Sequence, residues 1–184
     1  MANIRVWDKT FRPYIPDSDI QERVRSIATR INLDYEGKWP LFIAVLNGAF
    51  MFAADLFRHV AISCEITFVK VASYEGTETT GKVKTLIGLN ESIKGRHVII
   101  LEDIVDTGIT LRMILDQLEE LEPASIRVGA LLSKPDSLKE KVDVDYIGFK
   151  VPDDFLLGYG LDYNGRGRNL KDIYKLAEEE QEGA

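Results

Sequence analysis

Three stretches of this chain have the length of a β-strand and carry an unbroken apolar run: Leu41–Leu46, His97–Leu101 through Val98–Leu101, and Ser125–Leu132 through Val128–Leu132. A strand with one face in water alternates apolar and polar residues; a strand that reads as an unbroken apolar run is buried on both faces. Between these runs lie segments with helical spacing. Ser18–Tyr35 places Ile20, Val24, Ile27 and Ile31 on one side. Ser18 and Gln21 match a capping box, and Gly37 is a stop signal. Ala49–Arg58 and Ile109–Leu121 read as further helices, the latter with Leu111, Ile114, Leu115 and Leu118 as its core face. Ile62–Ala72, Val83–Leu89 and Asp145–Lys150 read as additional strands, and Asn169–Glu180 as a short terminal helix. Alternating buried strands and helices imply an α/β domain around a mostly parallel sheet flanked by helices.

The 184 residues correspond to one domain. The single cysteine, Cys64, excludes an intrachain disulfide and a cysteine-based zinc cage, and fits a reducing, cytoplasmic setting. The most apolar stretch, Trp39–Phe57, is interrupted by Pro40, Asn47, Gly48 and Asp55, so no membrane span is expected. Thirty acidic against twenty-three basic side chains give a net charge of −7. That balance argues against nucleic-acid binding, while leaving room for a local site for a small anion.

In parallel sheets, ligands bind beyond the carboxyl ends of the strands. The run His97–Leu101 leads into Glu102-Asp103, a two-residue apolar spacer, and then Asp106-Thr107-Gly108-Ile109-Thr110 where a helix begins. Gly108 permits close backbone approach, Thr107 and Thr110 offer hydroxyls, and the unpaired N–H groups of a helix start attract negative charge. The pattern describes a monophosphate cradle. Neighbouring residues on a strand point to opposite faces, so Glu102 and Asp103 should have different roles. Alone, the acidic pair would be a solvated strand end and Asp106 a helix cap; the full combination is far more specific. Ser73–Lys84 is polar, carries Gly76 and Gly81, and reads as a long mobile loop.

Glu102–Thr110 resembles the phosphoribosyl-diphosphate signature of the type I phosphoribosyltransferases, in the form of their hypoxanthine–guanine branch. The resemblance extends in order from about residue 41 to 174. Leu46-Asn47-Gly48 resembles the diphosphate loop, with a cis bond expected between Leu46 and Asn47. Ser73-Tyr74 resembles the lid dipeptide, and Leu131–Lys134 the strand end that presents a base-reading lysine. Val151–Tyr163, with Arg168 beyond, resembles the purine-binding segment.

What the resemblance implies is a Mg²⁺-dependent purine salvage enzyme. A purine base displaces diphosphate from phosphoribosyl diphosphate and leaves as a nucleoside monophosphate. Asp106 would be the general base, acting on the proton of ring nitrogen 7. Glu102 and Asp103 would serve the ribose and the metal shell, and Asp162 would bind the metal directly. Lys134 would donate to the 6-oxygen of the base, Phe155 would stack on it, and the backbone of Leu156 would contact it. Leu46, Asn47, Gly48 and Arg168 would engage diphosphate, with Arg166 a rival for Arg168, and Ser73 and Tyr74 would close over the reaction. The implied fold is one domain over residues 1–184, with a core at about 38–150 and a hood from the N-terminal segment and about 151–175. Relatives form dimers or tetramers, so a homodimer or homotetramer is expected.

Three positions depart from the fullest family pattern. Ile109 replaces a polar residue in the phosphate loop, Asn47 replaces a lysine, and Pro135–Leu138 is poor in basic side chains. Other readings are a xanthine-preferring enzyme, a non-catalytic nucleotide sensor on the same fold, and a phospho-acceptor signalling domain. The last leaves Asp-Thr-Gly-x-Thr unexplained.

Overall fold

A computed structural model describes residues 2–74 and 83–177. In chain order the strands and helices are β1 (Ile4–Val6), β2 (Lys9–Ile15), α1 (Asp17–Asp34), β3 (Leu41–Leu46), α2 (Phe50–Phe57), β4 (Glu65–Tyr74), β5 (Val83–Ile87) and β6 (His97–Val105). They are followed by α3 (Ile109–Glu119), β7 (Ser125–Ser133), β8 (Tyr146–Lys150), β9 (Leu156–Leu157) and β10 (Ile173–Leu176). Among the described residues these strands make two sheets. The larger runs β5-β4-β3-β6-β7-β8 and is parallel except for its β5 edge; the smaller runs β1-β2-β10-β9.

The apolar runs are explained by cover on both faces. Phe42, Ala44, Ile99 and Leu101 point into a core shared with α1 and α2, through Ile20, Val24, Ile27, Ile31, Phe52 and Leu56. Leu41, Ile43, Val45, Val98 and Ile100 point the other way, onto Leu111, Ile114, Leu115 and Leu118 of α3. Among the described residues no helix is long and apolar enough to cross a membrane.

The register opens a crevice. β6 pairs with β3 only as far as Leu101, opposite Ala44, yet pairs with β7 as far as Val105, opposite Ser133. Past Leu101 the two central strands part. Such splits are where ligands bind in parallel sheets.

The structure corrects several sequence expectations. β6 continues through Glu102 and Asp103, so the acidic pair lies inside a strand, not after its end. α1 starts at Asp17 after Pro16, and no side chain of its own caps it: Ser18 Oγ donates to Asp19 Oδ1, and Gln21 Nε2 donates to Asp17 and Asp55. The Asp17 N–H instead donates to Asp172 Oδ1 at 2.8 Å, a cap supplied from the far end of the chain. Asn169–Glu180 does not begin as a helix. Ile173–Leu176 is a strand held between β2 and β9, and a register shift at Ile173/Tyr174 lets both residues be buried, in different cores. Ser73 and Tyr74 are the last residues of β4, paired with Lys84 and Val83, so both ends of the expected loop are strand; its other residues, 75–82, lie outside the described residues.

Candidate active site

The site is assembled at the crevice from four pieces of chain. The first is the turn after β3. The Leu46–Asn47 peptide is cis. Gly48 is packed so closely that a Cβ there would overlap the Asp103 carboxylate, 1.7 Å from Oδ2. Only glycine lets the turn and the acidic strand meet.

The second piece is β6 and the turn into α3. Glu102 and Asp103 do face different ways. Glu102, 7% exposed, lines a pocket with Asp106, Thr107, Gly108, Thr110 and Leu111. Asp103 lines a neighbouring pocket with Asp106, Lys134, Phe155, Leu156, Leu161 and Asp162. Asp106 borders both. Burial pushes the Glu102 carboxyl well above the usual range, and the charge of Asp103 adds to it. Burial also raises Asp103, opposed by backbone N–H donors and by the Arg168 guanidinium. Two carboxyls held this way gain from a hydroxyl donor or a cation brought to them. Gly108, at φ +78°, is the N-cap of α3, and no side chain caps that helix. The first-turn N–H groups are therefore not claimed by an Asp106 or Thr107 cap. Ile109 is 45% exposed, so the turn presents backbone rather than a polar side chain at that position. The carbonyl of Thr107 accepts from Lys139 and Glu140 N–H groups, which closes the chain behind the cradle.

The third piece is the end of β7. Lys134 N–H donates to the Val105 carbonyl at 2.9 Å, which fixes the residue beside β6. Its Nζ donates to Asp106 Oδ2 at 3.3 Å and to Asp153 Oδ1 at 3.0 Å. An ammonium and a carboxylate thus stand side by side at the pocket wall.

The fourth piece is the small sheet and its turns. Phe155 is 46% exposed and faces the pocket, its ring edge-on to Tyr163 at 5.7 Å. Tyr163 OH donates to Asp8 Oδ1, and Trp7 lies against the Tyr163 ring. The β1–β2 hairpin therefore braces the aromatic. Asp162 pairs with Arg168 and accepts the Gly165 N–H. Arg168 also donates to the Gly160 carbonyl at 2.6 Å. Gly160, at φ +100°, seats this turn on the Gly48 carbonyl; a Cβ would come within 2.1 Å of that oxygen. Arg166 goes elsewhere, over the ring of Trp7 at 5.3 Å.

Ser73 and Tyr74 are placed by their backbone alone, at the end of β4. Asp103 and Asp162 share one pocket, whereas Glu102 opens into the other. Among the described residues no group of three or more such side chains gathers as a metal cage.

Sequence reading missed Asp153, Gly160, Tyr159 and the Trp7-Asp8 hairpin tip. Tyr159 OH donates to Asp55 at 2.7 Å, tying the turn after β9 to α2. These residues act through partners distant in sequence. Only Asp153 carried a local signal, as one of two carboxylates on a Pro-Asp-Asp turn just before the exposed aromatic.

Comparison with known proteins gives a consistent result. A model of the phosphoribosyl transferase domain matches residues 17–164. The hypoxanthine-guanine phosphoribosyltransferase of Bacillus subtilis is 40% identical over 157 residues, 85% of this chain and 87% of that one. The bifunctional protein TilS/HprT of Listeria monocytogenes is equally similar over 157 residues, but this chain spans only 24% of its length. The crystal structure of a hypoxanthine-guanine phosphoribosyltransferase from Bacillus anthracis superposes with a TM-score of 0.80 at 36% identity, over 90% of this chain and 96% of that one.

Proposed function

The chain belongs to the phosphoribosyltransferase family, and from that premise we propose that it transfers the 5-phosphoribosyl group of phosphoribosyl diphosphate to hypoxanthine, and also to guanine, as a purine salvage enzyme of the cytoplasm. The observation that carries the choice of base is the pair at the pocket wall. Lys134 Nζ and Asp106 Oδ2 stand 3.3 Å apart beside the exposed face of Phe155. A 6-oxopurine carries an oxygen and ring nitrogen 7 on one edge. When nitrogen 7 bears a proton, that edge is an acceptor beside a donor, the complement of a lysine beside a carboxylate. Adenine puts an amino group where the oxygen should be and leaves a nearly buried ammonium without its acceptor, a strong discriminator.

In this reading ring nitrogen 9 bonds to the ribose anomeric carbon as the bond from that carbon to the diphosphate oxygen breaks. Diphosphate leaves with the bonding electrons, and Asp106 takes the proton from nitrogen 7. A carboxylate there also offsets the positive charge that develops on base and ribose. The uncapped start of α3 holds the 5′-phosphate through backbone N–H groups and the hydroxyls of Thr107 and Thr110. Glu102 and Asp103 serve the ribose hydroxyls. The Leu46-Asn47-Gly48 turn and Arg168 hold diphosphate, Arg168 as a planar bidentate donor. Leu156 offers its backbone to the base.

The donor set fits Mg²⁺, which uses one or two carboxylates and completes its shell with water and substrate oxygens. Asp162 and Asp103 would hold it, with Glu102 contributing from the ribose side. Arg168 lies against Asp162 as the cation already there. When bound, Mg²⁺ would neutralise the diphosphate charge. The domain is read as a single unit: the large sheet forms the core, the small sheet the hood, and Ser73-Tyr74 begin the lid. The working form is taken as a homodimer or homotetramer.

The test is product formation from phosphoribosyl diphosphate and Mg²⁺ with hypoxanthine, guanine, xanthine and adenine supplied separately. Nucleotide from hypoxanthine and guanine but not adenine is expected. No nucleotide from any base, in folded protein that binds phosphoribosyl diphosphate, would overturn the reading in favour of a sensor.

A further inference from the structure

Two adjacent carboxylates on the turn between β8 and β9 go separate ways. Asp154 Oδ2 accepts from Lys175 Nζ of β10 at 3.0 Å, which clamps the turn to the small sheet. The Val151 N–H donates to the Ser133 carbonyl at 2.9 Å and the Asp154 N–H to the Pro152 carbonyl at 2.8 Å, fixing the turn beside the end of β7. Asp153 is thereby held over the end of β7, and its Oδ1 accepts from Lys134 Nζ at 3.0 Å.

The exposures are unequal. The Lys134 side chain is 9% exposed, Asp106 47% and Asp153 73%. A nearly buried ammonium must have its donors satisfied. It has three; Asp106 and Asp153 take two, which leaves one for an oxygen on the base. Lys134 in turn holds the Asp153 carboxyl below its usual range. Asp106 faces the ammonium from the turn before α3 and Asp153 from the turn after β8, while Asp103 and Asp162 line the same pocket.

We propose that Asp153 is a positioning residue for recognition of 6-oxopurines: it shares the Lys134 ammonium with Asp106, so that the catalytic carboxylate is not locked in an exclusive ion pair before the base arrives. The inference rests on the function proposed above. Without Asp153, Lys134 and Asp106 have only each other among these partners. An incoming base must then separate them to gain both its contacts, the 6-oxygen competing for the ammonium and the nitrogen-7 proton competing for the carboxylate. The penalty falls on binding of the base. Phosphoribosyl diphosphate touches neither Lys134 nor Asp153 in this arrangement, so its binding is unaffected.

The experiment is steady-state kinetics of the wild type, Asp153→Asn and Asp153→Glu with hypoxanthine and phosphoribosyl diphosphate. The exposure of Asp153 makes both variants compatible with folding. Loss of one charge-assisted hydrogen bond should raise KM for hypoxanthine about tenfold in Asp153→Asn and lower kcat by about twofold or less. KM for phosphoribosyl diphosphate should not change, and Asp153→Glu should recover most of the loss. An unchanged hypoxanthine KM in Asp153→Asn, an equal rise in both KM values, or failure of Asp153→Glu to recover would each overturn the inference while wild-type turnover stands. No wild-type turnover with any 6-oxopurine would overturn the proposed function, and this inference with it.

Discussion

The phosphate cradle and the base pocket of the proposed function share the Asp106 wall, but they are built in opposite ways. The cradle is nearly one piece of chain: Glu102 through Thr110, a strand running into an uncapped helix, with Gly108 permitting the turn. The base pocket is a meeting of distant parts. Lys134 directly follows β7, Asp153 and Phe155 come from the turn after β8, and Asp162 and Arg168 from turns before β10; Tyr163 is braced by Asp8 at the other end of the chain. The cradle is fixed by local backbone geometry. The pocket is fixed by packing of the small sheet against the large one. A backbone-built site should therefore tolerate loss of a single side chain in its grip on phosphate, whereas a side-chain-built pocket should lose specificity one residue at a time.

The largest effect is expected where the two regions meet. Asp106→Asn should lower kcat by about 10²–10⁴-fold, the range for loss of a general base. Binding of phosphoribosyl diphosphate, followed by calorimetry, should change little. Near-wild-type turnover would remove Asp106 from the chemistry. Next comes Lys134→Ala, which should cut kcat/KM for hypoxanthine by about a hundredfold or more, through lost hydrogen bonding to the 6-oxygen. Equal losses in base and phosphoribosyl diphosphate binding would show that the two regions are not separable. A smaller loss, about tenfold in hypoxanthine KM, is expected for Phe155→Ala, since base–aromatic stacking is worth about 1–3 kcal/mol. Its ring is 46% exposed and lies at the edge of the small-sheet core, against Phe11 and Tyr163, so the melting temperature should fall by only a few degrees.

The smallest effect concerns stability. Burial raises the Glu102 carboxyl well above 4.5. Between the ordinary and the raised value the folded protein holds a proton that the unfolded chain has released, so stability falls as pH rises through that window. Glu102→Gln removes this penalty. Calorimetry of ligand-free protein should show a shallower fall in melting temperature from about pH 5 upward, and a gain of a few degrees at neutral pH. Ribose binding should weaken at the same time. An unchanged pH profile would mean that the buried carboxyl costs nothing in the fold.

The same contrast explains what could be read from the residues alone. Buried parallel strands and the α1 and α3 core faces are written in local periodicity, and the cradle in nine consecutive residues. The small sheet is not. β10 has four residues and becomes a strand because β2 and β9 flank it and bury Ile173 and Tyr174, so its own helical pattern is overridden. The Ser18–Gln21 capping box fails for a similar reason: Asp172, from the other end of the chain, caps α1 first. Lys134, Phe155, Asp162 and Arg168 were identifiable only through resemblance, because nothing in their spacing brings them together. Asp153 escaped even that, since its partner is nineteen residues away in sequence.

The most direct test of this division compares inosine monophosphate with adenosine monophosphate by calorimetry on the wild-type protein. The two share the ribose 5′-phosphate that the cradle would hold and differ at position 6, which Lys134 would read. Tighter binding of inosine monophosphate by about tenfold or more is predicted, the difference vanishing in Lys134→Ala. Equal affinity of the wild type for both nucleotides would contradict the assignment of Lys134 and, with it, the account of how this site chooses its base.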